Sequence, residues 1–218
     1  MAFIRPYQPA DEEACIHVFR STASPNLRAH SDPAVLHIGS YMWCRPYITL
    51  NASYCFILDD GTGTAVGYIL CAPDTQLFVE RFRDEFLGVV KQAGIQEPAE
   101  SNVASDNDMA TQFRHDVYHP ENMLQAEYPR LLEEYPAHLH IDILESHQSQ
   151  RWGEKMIETL LEKLRGKGVR GVHLGMDANN SRAGKFYDRL GFEPFEGMNE
   201  QGEVGRIGGA IYRVKRVE

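Results

Sequence analysis

Hydrophobic and polar positions alternate along AHLHIDIL, residues 137–144, with Leu139, Ile141 and Ile143 on one side and His138, His140 and Asp142 on the other. A period of two predicts a β-strand. The period then changes. Met156, Ile157, Leu160, Leu161 and Leu164 recur at helical spacing, and Glu154, Lys155, Glu158, Glu162 and Lys163 fill the opposite, wet face. RGKG stops this helix, Gly166 or Gly168 supplying a left-handed cap. GVHLGMD returns to a strand pattern with Val172, Leu174 and Met176 on one side. A strand, a helix and a strand at this separation predict a right-handed crossover between parallel strands.

Upstream, FIRPYQP reads as a short strand and PADEEACIHVFRSTA as a helix with proline and acids in its first turn. Residues 24–53 read as irregular, with aromatics in SYMWCRPYI. YCFILDDGTGTAVGYILCAP predicts a hairpin. Its GTGTAVG has the spacing GxGxxxG, and a strand follows where a dinucleotide-binding fingerprint needs a helix, so the segment reads as a turn. QLFVERFRDEFLGVVKQAG predicts a helix with Phe78, Phe82, Phe86, Val89 and Val90 on one face. Residues 97–110 read as a polar acidic loop, and ENMLQAEYPRLLEEY as a further helical stretch. The excursion from about Asp74 to Tyr135 interrupts the run of strands, and such excursions often form lids over sites. Beyond Asp177, NNSRAGKFYDRLGF predicts a helix with an Asn/Ser cap and a stop at Gly191, and VGRIGGAIYRVKRV closes as a strand or hairpin.

Composition narrows the function classes. A chain of 218 residues is expected to form one α/β domain, here with an insertion at about 74–135. The net charge of −9 argues against nucleic acid and favours a cationic or amine substrate. No apolar run approaches the length of a membrane span, and MAFIRPYQPADEE is not a signal peptide. Cys15, Cys44, Cys55 and Cys71 show no paired spacing. A cytoplasmic protein is expected.

The loop HQSQRWG, between the alternating strand and the amphipathic helix, admits two readings. A helix N-terminus with unpaired N–H groups and a positive dipole end attracts phosphate. Alternatively, Ser149 merely caps the helix.

The order of motifs decides between them. HIDILESHQSQRWGEKMIETLLEKL followed by DANNSRAGKFYDRLGFEPF resembles the GNAT acetyltransferase superfamily, and the opening FIRPYQPADEEA and the 54–73 hairpin resemble its first three strands. Within it, HLHIDIL and GVHLGMDANNSRAGKFY look closest to the acetyltransferase-like domains related to the C-terminal part of O-GlcNAcases. The resemblance implies a mixed, mostly antiparallel sheet with a splayed parallel strand pair, flanking helices, and acetyl-CoA as co-substrate. It implies that the loop Gln148, Ser149, Gln150, Arg151, Trp152 and Gly153, continuing into Glu154 and Lys155, cradles the pyrophosphate. Arg151 departs from the family pattern, because it stands where the first loop glycine is usual. The backbone near Ile143 and Leu144 would pair with pantetheine, and Asn180 and Phe186 would lie beside the cofactor.

Tyr187 matches the tyrosine that protonates the departing thiolate, its other reading being a core aromatic paired with Phe186. The base is open between Asp142 and Asp177, the latter also suited to a turn. His138, His140 and Asp142 could instead be ligands on one strand face, but no further ligand motif accompanies them and no metal is expected. The resemblance thus implies an N-acetyltransferase for a small-molecule amine, an amino sugar such as glucosamine being one candidate. A non-catalytic acyl-CoA-sensing module and a histone or protein lysine acetyltransferase are the alternatives. No nucleic acid or membrane partner is expected, and a homodimer is compatible with the chain.

Overall fold

The computed structural model describes residues 1–99, 108–197, 206–207 and 210–217. The strands are β1 (Phe3–Pro6), β2 (Phe56–Asp59), β3 (Ala65–Ala72), β4 (Ala137–Ile143), β5 (Gly171–Asp177), β6 (Glu193–Pro194), β7 (Arg206–Ile207) and β8 (Ala210–Arg216). They form a sheet of order β1-β2-β3-β4-β5-β8-β6, with β7 also paired to β8. Every pairing is antiparallel except that of β4 with β5. That parallel pairing is confined to Ala137↔Val172 and His138↔His173. Beyond His138 the two strands part, leaving a wedge.

The alternation of β4 sends its side chains into two cores. Leu139 packs with Met156, Ile157, Leu160, Leu161 and Leu164 of the helix Trp152–Arg165. On the other face lie Tyr68, Leu70 and Ala72 of β3 with Cys15, Val18 and Phe19 of the helix Glu12–Thr22. The helix Ser181–Arg189 joins the first of these layers through Tyr187. Gly168, at φ +71°, stops the long helix, and Gly191, at φ +72°, follows the last one.

Three expectations need correction. Residues 24–53 are largely helical, at Pro25–Arg28, Ala34–Trp43 and Arg45–Leu50. Val35, Ile38 and Tyr41 form a buried helical stripe, but a glycine, a serine and Pro46 obscure it. Gly39 is needed there, since a Cβ would meet Trp43 at 3.0 Å and Phe19 at 3.1 Å. Next, Val89 is exposed while Phe78, Phe82, Phe86 and Val90 are buried. Four-residue steps over-rotate an α-helix by about 40° each. A π-helical stretch at Phe82–Phe86 unwinds that drift and keeps the aromatic row on the core. Finally, the stretch around ENMLQAEYPRLLEEY is a 3₁₀ turn, Pro120–Leu124, and a short helix, Pro129–Glu134, separated by the left-handed Gln125. The longer helix of this region is Met109–Tyr118, which packs on Ala34–Trp43. Most of the expected acidic loop, residues 100–107, lies outside the described residues.

Candidate active site

The wedge between β4 and β5 is the geometric centre of the site. Antiparallel pairing gives the Leu144 N–H to the Val66 carbonyl at 2.9 Å, and the Leu144 carbonyl accepts from His147. The alternation of antiparallel bonds therefore turns the main chain of Ile143 and Ile141 away from β3 and toward the wedge. The Ile143 carbonyl accepts from the Gln148 side chain at 2.7 Å, which ties the loop to the strand end.

The loop turns through two left-handed residues, Ser149 at φ +60° and Arg151 at φ +64°. Arg151, not Ser149, is the N-cap of the helix, and no side chain caps it. The reading of Ser149 as a simple cap is therefore corrected. The amides of Trp152, Gly153 and Glu154 open the helix and lack intrahelical acceptors, and among the described residues no side chain caps them, so they face outward as an anion site. A Cβ at Gly153 would approach Phe186 to 3.0 Å, so glycine permits the close approach of loop and helix. The left-handed arginine carries strain of about 1 kcal/mol, and its guanidinium pairs with Glu154 at 2.8 Å.

A cavity of about 1380 Å³ opens over this loop. Its wall includes Ile141, Asp142, Ile143, Gln148, Ser149, Arg151, Trp152, Gly153, Glu154, Asn180, Phe186 and Tyr187. The expected residues Leu144, Gln150 and Lys155 are not part of that wall. Gln150 bonds the Ser146 carbonyl, and the Lys155 ammonium lies over the Trp152 ring. Asn180 caps the helix Ser181–Arg189 through the Ala183 amide at 3.0 Å. Sequence reasoning missed the basic members Arg28, Arg182, Lys185 and Arg189. The last three recur at helical spacing, a signal present in the sequence. Free amides, a glycine contact and a basic rim fit a phosphorylated ligand such as acetyl-CoA.

Tyr187 is buried against Phe186 and Phe192, and its position on the cavity wall joins the core and site readings. Burial, reinforced by the charge of Asp142, pushes its phenol well above the usual value. Asp142 accepts from the Tyr68 hydroxyl at 2.6 Å. Burial raises its carboxyl to about 6, against the opposing hydrogen bonds of Tyr68 and Thr22.

A second cavity, of about 440 Å³, opens where β4 and β5 part. His138, His140, His173, Tyr47, Tyr212 and Asp177 line it, with Asp116 and His119 from the insertion. Asp142 and Asp177 therefore lie on different cavities. Asp177 is exposed and accepts the Asn179 amide at 2.8 Å, forming a turn. His138 is bonded at both ring nitrogens, to Tyr47 and Thr75. Among the described residues no His/Cys/Asp/Glu cluster could hold a metal, and no helix is long and apolar enough to cross a membrane. The four cysteines are buried and free.

Residues 121–192 match the model of the acetyltransferase (GNAT) family. The chain belongs to that family. The crystal structure of SsHAT is similar over 100% of this chain and 98% of that one, at 33% identity and a TM-score of 0.84. The protein O-GlcNAcase of Rattus norvegicus is 24% identical over 190 residues, covering 86% of this chain. The chain spans 20% of the length of that relative. PaiA N-acetyltransferase from Thermoplasma acidophilum, solved in complex with coenzyme A, shares the fold at 11% identity. Its TM-score is 0.57, over 99% of each chain.

Proposed function

We propose that the protein transfers an acetyl group from acetyl-CoA to a primary amine of a small molecule, by direct attack in a ternary complex. The observation that carries this reading is the pair of cavities meeting β4 where it leaves β5. The larger one has the anion-binding loop and basic rim, and takes acetyl-CoA as a substrate. The smaller has the volume of a small-molecule site, and Asp116 and Asp177 on its wall favour a cationic amine. An amino sugar such as glucosamine is a candidate acceptor, supported by the likeness to O-GlcNAcase.

The chain's own groups divide the chemistry. The main chain at Ile143 faces the wedge and can donate to the thioester carbonyl as negative charge develops there. Tyr187, held protonated, donates to the departing sulfur. Asp142 acts on the same side, its charge helping to keep that proton on the phenol.

The test is acetyl-CoA-dependent thiol release against glucosamine, polyamines, arylalkylamines and a lysine peptide. Saturable release with a small amine, strongly reduced in Tyr187→Phe, is the expected result. Acetyl-CoA binding without release from any amine would favour a sensing module, and release with the peptide alone would replace the small-molecule acceptor.

A further inference from the structure

A directed chain of hydrogen bonds runs behind the second cavity. Thr75 Oγ1 lies 2.7 Å from the Pro136 carbonyl oxygen. A carbonyl only accepts, so the threonine hydrogen is committed to it. Thr75 Oγ1 also lies 2.8 Å from His138 Nδ1, and must accept there, so Nδ1 carries the hydrogen. Burial and the neighbouring histidines hold His138 neutral. Its Nε2 is therefore a bare lone pair, 2.7 Å from the Tyr47 hydroxyl, which donates to it. With its hydrogen so committed, Tyr47 can only accept from His140 Nε2 at 3.1 Å. The opposite direction would set two lone pairs face to face between Thr75 and His138. Pro136 thus fixes the tautomer of His140 four residues along the strand: Nε2 bears the hydrogen and Nδ1 the lone pair.

The position of His140 matters as much as its tautomer. It stands two residues beyond the last parallel pair, His138↔His173, on the wall of the second cavity. Nδ1 has no hydrogen-bond partner among the described residues. We propose that His140 Nδ1 is the catalytic base that takes the proton from the attacking nitrogen of the acceptor amine. This rests on the acetyl-transfer reading and extends it, since neither Asp142 nor Asp177 then has that role.

The step balances. The neutral amine attacks the thioester carbon and forms the C–N bond. The nitrogen becomes positively charged and gives one proton to His140 Nδ1. The C–S bond breaks, and the sulfur takes the Tyr187 proton. The products are an acetamide and a free thiol, and the proton on His140 returns to Tyr187 through solvent. The chain behind His140 suits this, because Nε2–H, Tyr47 and His138 can share the positive charge that arrives at Nδ1.

The polar groups that share the cavity wall with His140 come from several elements: Tyr47 from the helix Arg45–Leu50, His173 and Asp177 from β5, Tyr212 from β8, and Asp116 and His119 from the insertion, while Asp142, two residues along β4, lines the other cavity. Burial first, then His173, lowers His140 to about 4, so the ring is neutral and its Nδ1 lone pair unprotonated at physiological pH before the amine attacks.

Nitrogen-15 NMR of the intact protein should show His140 as the Nε2–H tautomer. His140→Ala should lower kcat by about 100-fold or more, leave the KM for acetyl-CoA within about threefold, and regain part of the rate with added imidazole. Thr75→Val removes the group that sets the direction, and should give a mixture of His140 tautomers with a smaller loss of kcat. An Nδ1–H tautomer in the wild type overturns the proposal, even if His140→Ala fails to fold. So does wild-type kcat in folded His140→Ala. If the wild type acetylates no amine, the base assignment falls with the transferase reading, whatever the tautomer. If it acetylates an amine and Asp177→Asn alone loses the rate, only the base assignment falls.

Discussion

Phe186 closes over Gly153, so that a methyl group added at residue 153 would lie 3.0 Å from Phe186 Cζ and 3.2 Å from Cε2. Phe186 is half-buried on the wall of the larger cavity, so a ring displaced from Gly153 can move into the space assigned to acetyl-CoA. Gly153→Ala should therefore cost about 1–2 kcal/mol through overpacking, a fall in Tm of several degrees for a chain of this size. It should also weaken acetyl-CoA binding several-fold. Calorimetric titration of the variant checks this, and unchanged affinity would show that the loop does not approach the ligand at this point.

The contrast between these two contacting residues and the second cavity explains what the sequence made legible. The β4–helix–β5–helix unit was readable because its periods switch cleanly from two to about 3.6, and because its stops at Gly168 and Gly191 are glycines at positive φ. The loop, Asn180, Phe186 and Tyr187 all lie within that unit. The second cavity was not readable. Tyr47, His140, Asp116 and Tyr212 come from four distant stretches; the helix carrying Tyr47 was hidden by its proline and short length, and the one carrying Asp116 buries only Ala110, Thr111 and Val117, which make no apolar stripe. Asp142 and Asp177 looked alike as strand carboxylates. Only the parting of β4 from β5 separates them, one beside Tyr187 and the other on a turn.

Asp142 supplies a pH-dependent prediction about stability. Its folded carboxyl is raised to about 6 by burial, above its unfolded value. The native state then binds more protons than the unfolded chain between about pH 4 and 6, and stability is lost as pH rises through that window. A shift of about two units corresponds to about 3 kcal/mol. Asp142→Asn removes the titration while keeping an oxygen that can accept from Tyr68. The stability of this variant relative to wild type should rise from pH 4 to pH 7 by up to that amount. Denaturant titrations at pH 4.5, 6 and 7.5 measure it, and a constant difference would mean that the carboxylate is not desolvated.

Arg5 predicts the opposite sign. It forms a bidentate pair with Asp11 at 2.7 Å and a further bond to Asp59 at 2.8 Å, joining β1, β2 and the first helix. Both carboxylates are held below the usual range by the Arg5 guanidinium and by main-chain amides, against the penalty of burial. Their contribution is present above the unfolded pKa of about 4 and is lost as pH falls through the lower folded values. Arg5→Met should leave two buried carboxylates unpaired and cost about 3–5 kcal/mol at neutral pH. Near pH 3 the difference from wild type should shrink. A deficit independent of pH would assign the loss to packing of the arginine stem instead.

The basic helix face makes a prediction specific to the ligand. Arg182, Lys185 and Arg189 are exposed on one wall of the larger cavity, in a chain whose net charge is −9. Against that background a general attraction for anions is not expected, so any attraction must be local. Arg182 reaches the loop, its guanidinium 3.4 Å from Ser149 Oγ. Arg182→Glu should raise the KM for acetyl-CoA about five- to tenfold at low salt, with kcat little changed because the residue lies away from Tyr187 in the helix's first turn. The difference from wild type should narrow at high salt, where the screening length falls to about 3 Å at 1 M. The KM for the amine should stay the same, because Arg182 lines the larger cavity and not the second one. If Arg182→Glu instead weakens the amine and spares acetyl-CoA, the assignment of the two cavities is reversed.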